Sequence, residues 1–199
     1  QFEFLCNTEK VAYEDEIRGL GGVIHNICAR SKNLKQYKHD MKDFFENNAD
    51  KYCALWFNTC SLSNIDYLLY AKKYHIPKRI IHCHNAANGG DSFLRNLLHK
   101  YHQRKVFKYA TDFWTCNQDS DLWFFGKASK ELPNYRVIYN AIDLDYFAPS
   151  DEVRKDYRSK LNISNEVLLG HDGRFHYQKN QEFLIKVMNE LNQRYPDKY

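Results

Sequence analysis

Hydrophobic and polar positions fall into two alternating regimes along the chain. Short runs rich in apolar, β-branched and aromatic residues at 2–6, 23–27, 53–57, 79–84, 112–116 and 136–139 read as strands. Between them lie stretches with helical spacing. One covers 13–20, starts acidic and stops at Gly21-Gly22; a second covers 37–48. A third carries Ile65, Leu68, Leu69 and Ala71, with Ser63 as its expected N-cap and Pro77 closing the connection. A further helix is expected over 119–125. The run Cys53-Ala54-Leu55-Trp56-Phe57 is unbroken, the pattern of a strand buried on both faces. Leu94, Leu97, Leu98 and Tyr101 fall at i, i+3, i+4 and i+7, which predicts an amphipathic helix with a cationic face.

Strands alternating with helices predict an α/β fold with a parallel sheet. Such sheets bind ligands at the carboxyl ends of their strands, here just after Phe57, His84 and Cys116. From Pro149 the chain turns polar. A charged helix is expected over 153–161, a strand over 166–171, a turn at Asp172-Gly173-Arg174 and a helix over 178–194. That order predicts a first domain over 1–148 and, over 149–199, a linker helix and the first βα unit of a second domain.

Charge changes this picture in one place. The net charge of +4 is not evenly spread. Residues 51–110 carry 10 Lys/Arg against 2 Asp/Glu, whereas 1–50 carry 7 against 9 and 111–199 carry 12 against 14. The cations concentrate at Arg95, Lys100, Arg104, Lys105 and Lys108, on and after the amphipathic helix. That helix suits an anionic membrane surface, with a solvated face as the alternative. No finger, RNP-like or helix-turn-helix signature accompanies the charge, so nucleic acid is not expected. No apolar stretch approaches the roughly 20 residues of a membrane span. Six cysteines without a C-x-x-C pair are expected to be buried, reduced thiols of a cytoplasmic protein. The chain opens on Gln1, which leaves targeting undecided.

Three stretches carry a resemblance: Arg79-Ile80-Ile81-His82-Cys83-His84-Asn85, then 137–147 with Val137-Ile138-Tyr139-Asn140-Ala141-Ile142-Asp143, then Gly173-Arg174-Phe175-His176-Tyr177-Gln178-Lys179-Asn180. Together they resemble the family-4 glycosyltransferases of the GT-B fold, notably the bacterial capsular and exopolysaccharide enzymes. The resemblance implies two Rossmann-like domains and transfer of a sugar from a nucleotide-sugar donor. The acceptor it implies is a lipid-linked glycan at the inner face of the membrane, and the transfer needs neither metal nor cofactor. The family's first strand with its glycine-rich loop and its late E-x7-E segment have no counterpart. The expectation is therefore an internal piece of such an enzyme, inactive on its own, and a non-catalytic binding module is the alternative reading.

The resemblance also implies roles. Arg174 and Lys179, after Gly173, would grip the donor diphosphate, where cations and helix N-terminal amides offset developing charge; ordinary surface cations are the alternative. His84 would face the reaction cleft in a catalytic role, or else be a satisfied core histidine. Asn58, Asn85 and Asn140 are expected at the same cleft, while His82 is expected on the opposite side of its strand, in a structural role. Asp143-Leu144-Asp145 and Asp119-Ser120-Asp121 mimic a D-x-D metal site but are accounted for by the linker motif and a helix start, so no metal site is expected. Asn88-Gly89-Gly90 lacks the spacing and lysine of a phosphate-binding P-loop.

Overall fold

The computed structural model describes residues 2–85, 93–127, 129–196 and 198. The expected Asn88-Gly89-Gly90 loop lies outside them. The chain divides into two compact units, Gln1–Asn140 and Ala141–Tyr199, ahead of the boundary expected at 148.

In the first unit, strands β1 (Glu3–Cys6), β2 (Val23–Asn26), β3 (Ala54–Thr59), β4 (Lys78–Cys83), β5 (Asp112–Thr115) and β6 (Tyr135–Val137) alternate with helices α1 (Glu14–Gly19), α2 (Leu34–Asn48), α3 (Asp66–Lys73), α4 (Phe93–Gln103) and α5 (Gln118–Phe125). All pairing is parallel. β1 and β2 form one ladder, and β3-β4-β5-β6 form a second in sequence order. This is the α/β fold expected from the strand–helix alternation.

Local chemistry explains the element ends. Asn33 caps α2, its Oδ1 accepting from the amides of Lys35 at 3.0 Å and Gln36 at 3.1 Å. Asn117 caps α5 in the same way through the Ser120 amide, 2.7 Å away. Gly21, at φ 81, supplies the left-handed residue that turns the chain after α1. The start of α3 differs from expectation: Ile65 occupies the cap position, and Asn64 Oδ1 rather than Ser63 accepts from the first helical amide, Asp66 N–H, at 2.9 Å.

One face of the four-stranded sheet packs on α3 and α5, burying Ile81, Cys83 and Phe113 against Leu68, Phe124 and Phe125. A second core gathers Tyr37, Met41 and Phe45 of α2 with Ala71 and Ile76. A side chain ties the first ladder to the segment just ahead of β3: Glu3 Oε2 accepts from Tyr52 Oη at 2.5 Å and, within its own ladder, from His25 Nε2 at 2.6 Å. Phe2 and Trp56 rings stand 6.3 Å apart.

Several expectations are corrected here. β3 is not buried on both faces: Leu55 and Phe57 are half-buried while Ala54, Trp56 and Asn58 are exposed, because among the described residues β3 pairs with β4 alone. The cysteines are all free, but only Cys83 and Cys116 are buried; Cys53 and Cys60 are exposed. Helix α4 turns its apolar stripe outward. Its buried residue is His99, while Phe93, Leu94, Leu97 and Tyr101 are exposed and Leu98 is half-buried.

The second unit contains α6 (Asp151–Lys160), capped by Ser150 Oγ on the Val153 amide, and α7 (Gln181–Arg194). Residues 166–171 do not form the expected strand. A strand exists only as part of a ladder, and among the described residues none forms here; the Val167 amide donates to the Lys198 carbonyl at 2.8 Å. Among the described residues, no helix is long and apolar enough to cross a membrane.

Candidate functional site

The sequence-predicted residues fall in both units. In the first, register sets the geometry. Asn58 of β3 stands opposite His82 of β4, which stands opposite Trp114 of β5. Side chains alternate along a strand with a period of two, so Trp56 and Asn58, His82 and His84, and Trp114 share the sheet face turned away from α3 and α5. His82 therefore does not point away from His84. The two rings lie 4.3 Å apart, centroid to centroid. Cys83, between them, points to the helix-packed face. The His82-Cys83-His84 triplet is thus divided between two faces and is not one ligand set.

His84 sits just beyond β4, its amide donating to the Thr59 carbonyl at 3.2 Å. Its Nε2–H donates to Asn58 Oδ1 at 3.0 Å, which fixes the tautomer and leaves Nδ1 as an acceptor. Burial holds its pKa below the usual histidine range. The neutral ring can then accept a hydrogen bond or proton from a hydroxyl. Asn85 follows it, half-buried, and Asn140 is exposed three residues past β6. The structure thus joins His84 to Asn58 directly.

His82 is 4% exposed, and among the described residues neither of its ring nitrogens meets a partner at full hydrogen-bond geometry, the Ile138 backbone being the polar group that acts on it; Trp114 Nε1 likewise meets none. Burial, with a smaller contribution from His84, lowers its pKa. The ring is held by aromatic packing, stacked 5.9 Å from Trp56 at 13° and edge-on to Trp114. Sequence reasoning missed this Trp56–His82–Trp114 group. The signal was strand alternation, but it becomes readable only once the β3-β4-β5 register is known.

In the second unit the predicted residues occupy a stapled loop. The Gln181 side-chain amide, at the start of α7, donates back to the Arg174 carbonyl at 2.9 Å and to His171 Nε2 at 3.4 Å. The stem of Lys179 runs along Gly173, with Cγ and Cδ each 3.5 Å from where a Cβ on Gly173 would stand; His171 Nε2 is equally near. Lys179 N–H donates to the His176 carbonyl at 2.8 Å. Gly173, Arg174 and Lys179 are thus brought into one loop, with both cations exposed. His171 and Gln181 complete it, and neither was singled out from sequence.

The two D-x-D look-alikes are engaged locally. Asp143 Oδ1 accepts from the amides of Asp145 and Tyr146 in a turn, and Asp121 is buried inside α5. Among the described residues, no three His, Cys, Asp or Glu side chains gather as a metal would need.

No protein family's sequence model matches the chain. It is 26% identical over 198 residues to the Bacillus subtilis (strain 168) protein named "Putative glycosyltransferase EpsF", covering 98% of this chain and 51% of that protein. The crystal structure of Anabaena Alr3699/HepE in complex with UDP and glucose matches with a TM-score of 0.70 at 17% identity, over 95% of this chain and 57% of that one. HepE in complex with UDP-glucose matches at 0.67 and 16% identity, again over 95% and 57%. The chain spans about half the length of the relatives it matches. Its architecture is the Rossmann-like α/β fold of a GT-B glycosyltransferase domain, and its sequence is similar to that of a glycosyltransferase-named protein along nearly its whole length.

Proposed function

We propose that this chain belongs to a glycosyltransferase that takes a sugar from a uridine-diphosphate donor and passes it to a glycan acceptor. The observation that carries the reading is the loop in which Gln181 staples Arg174 beside Gly173 and Lys179. Loss of a sugar leaves a diphosphate with growing negative charge, and two exposed cations at a helix start offset it. That charge compensation by the protein's own side chains supports a transfer independent of metal. HepE, of like fold, has been crystallised with UDP and with UDP-glucose. His84, oriented by Asn58, is the group offered to a substrate hydroxyl. The finer reading follows the motif resemblance: a lipid-linked acceptor, met at the inner face of the membrane, in surface-polysaccharide assembly.

Calorimetric titration of the chain with UDP and UDP-glucose tests the donor site. Saturable binding is expected. Arg174→Ala and Lys179→Ala should each weaken it about 10-fold, the usual loss when one charge-assisted contact is removed. Absence of binding, or unchanged affinity in both variants, would overturn the assignment.

A further inference from the structure

Strand β4 sets two histidines of different standing side by side. A side-chain period of two puts His82 and His84 on one sheet face, with ring centroids 4.3 Å apart and planes tilted by 43°. His84 stands half-buried just past the strand's carboxyl end, where Asn58 Oδ1 accepts its Nε2–H at 3.0 Å. His82 lies two residues back and is buried. Its ring runs along Trp56, 13° from parallel, and meets Trp114 edge-on at 79°. The two tryptophans also touch each other, 5.7 Å apart at 70°, so each ring of the group limits the others.

The surroundings decide where a proton can go. Asn58 and Trp56 of β3, Trp114 of β5 and the Ile138 backbone beyond β6 enclose the pair. Among the described residues no charged side chain outside the pair acts on either ring: burial alone lowers the pKa of His84, and His82 answers to burial, His84 and Ile138. Two imidazoles in contact repel when both are charged. His82, cut off from water, is the poorer site for a charge, so the pair takes its first proton on His84. Orientation is a separate matter. The χ2 torsion of histidine is soft, and one hydrogen bond to Asn58 does not by itself hold the His84 ring in a plane. A flat ring packed behind it does.

We propose that His82 is a positioning residue for His84: held between Trp56 and Trp114, its ring is the wall that keeps the His84 ring where Nε2–H meets Asn58 and Nδ1 is left for a substrate hydroxyl. His82 exchanges no proton with substrate and acts only through His84. The role of Nδ1 rests on the sugar-transfer reading, whereas the wall needs neither donor nor turnover.

Nitrogen-15 NMR of the histidine rings in the 199-residue chain, followed from about pH 8 to pH 5, tests it. In the wild type His84 should hold the Nε2–H tautomer and titrate first, with His82 neutral until His84 is charged. His82→Phe keeps a flat ring and should leave the tautomer and titration midpoint of His84 in place. His82→Ala removes the wall: the His84 tautomers should become mixed, and its midpoint should move up toward the ordinary histidine range as water replaces the ring. Should His82→Ala not fold, the wild-type order of titration and the phenylalanine variant decide. His82 titrating ahead of His84 would overturn the proposal. So would an unchanged His84 in folded His82→Ala, or a His84 that loses its single tautomer in His82→Phe. UDP titration of the same samples reads Arg174 and Lys179 separately. UDP binding with a His84 indifferent to residue 82 sinks the positioning role alone, and the expected His84 behaviour without UDP binding sinks the donor assignment alone.

Discussion

Helices α2 and α4 carry equally clear apolar stripes and point them in opposite directions. In α2, Tyr37, Met41 and Phe45 follow one another at i, i+4 and i+8 and are fully buried. Its outer side mixes signs, as in the Lys42–Glu46 pair at 3.6 Å. In α4 Phe93, Leu94, Leu97 and Tyr101 face outward, and the helix is held by histidine and glutamine bonds to the Leu62 and Trp123 backbone. Helical periodicity shows that a face exists; it does not say which side of the helix the core is on. What separates the two sequences is charge: α2 has both signs, and α4 has one.

The largest effect expected from this contrast is a pair of truncations. Phe45→Ala should destabilise by about 3–4 kcal/mol, as for a buried aromatic removed from a packed site. Leu97→Ala should stay within about 0.5 kcal/mol. Chemical denaturation of both variants measures the difference, and comparable losses would mean that α4 is docked through its leucines.

Next comes the polar clamp. His99→Ala removes both bonds and leaves the buried Leu62 amide without its acceptor, a loss of about 2–3 kcal/mol. The same residue gives the contrast a pH signature. Burial lowers the pKa of His99, as it does for His82 and His84. The unfolded chain then binds more protons than the folded one between the lowered values and the ordinary value near 6.5, so stability rises with pH across that window. Above it the contribution is fully present; as pH falls through the folded values it is lost. The thermal midpoint should be flat above about pH 7 and fall toward pH 5, with a smaller fall in His99→Gln. A midpoint independent of pH would remove the neutral-histidine account.

The smallest effect distinguishes the paired histidines on the sheet face turned away from α3 and α5. His82→Ala should lower the thermal midpoint more than His84→Ala, because His82 is packed between Trp56 and Trp114 and His84 is only half-buried. The reverse order would recast His84 as the structural member.

Much of the fold was legible. Each strand of the first unit shows as a short apolar run and α3 and α4 as spaced ones, because local periodicity survives any tertiary arrangement, while α1 shows through its acidic start and glycine stop. What was not legible depends on partners distant in sequence. The apolar run at 53–57 reads as doubly buried, but whether a strand lies inside a sheet or at its margin is a property of its neighbours. Residues 166–171 have strand composition without a ladder. The candidate site divides in the same way. Gly173, Arg174 and Lys179 were visible as a motif, whereas the Gln181 staple and the alignment of Asn58 with His84 required register and a helix start that spacing alone does not define.

The open margin of β3 has a bearing on how the protein must be handled. Among the described residues β3 is paired on one side only, and such a margin is a template for another chain; Cys53 and Cys60, both exposed, bracket this one. An encounter between two such margins brings thiols from separate molecules together, so an oxidising buffer would convert a reversible collision into a covalent dimer. Cys83 is spared, since burial pushes its thiol well above the usual range and shields it from attack. Monodispersity of the purified material is therefore a question of reductant before it is one of concentration.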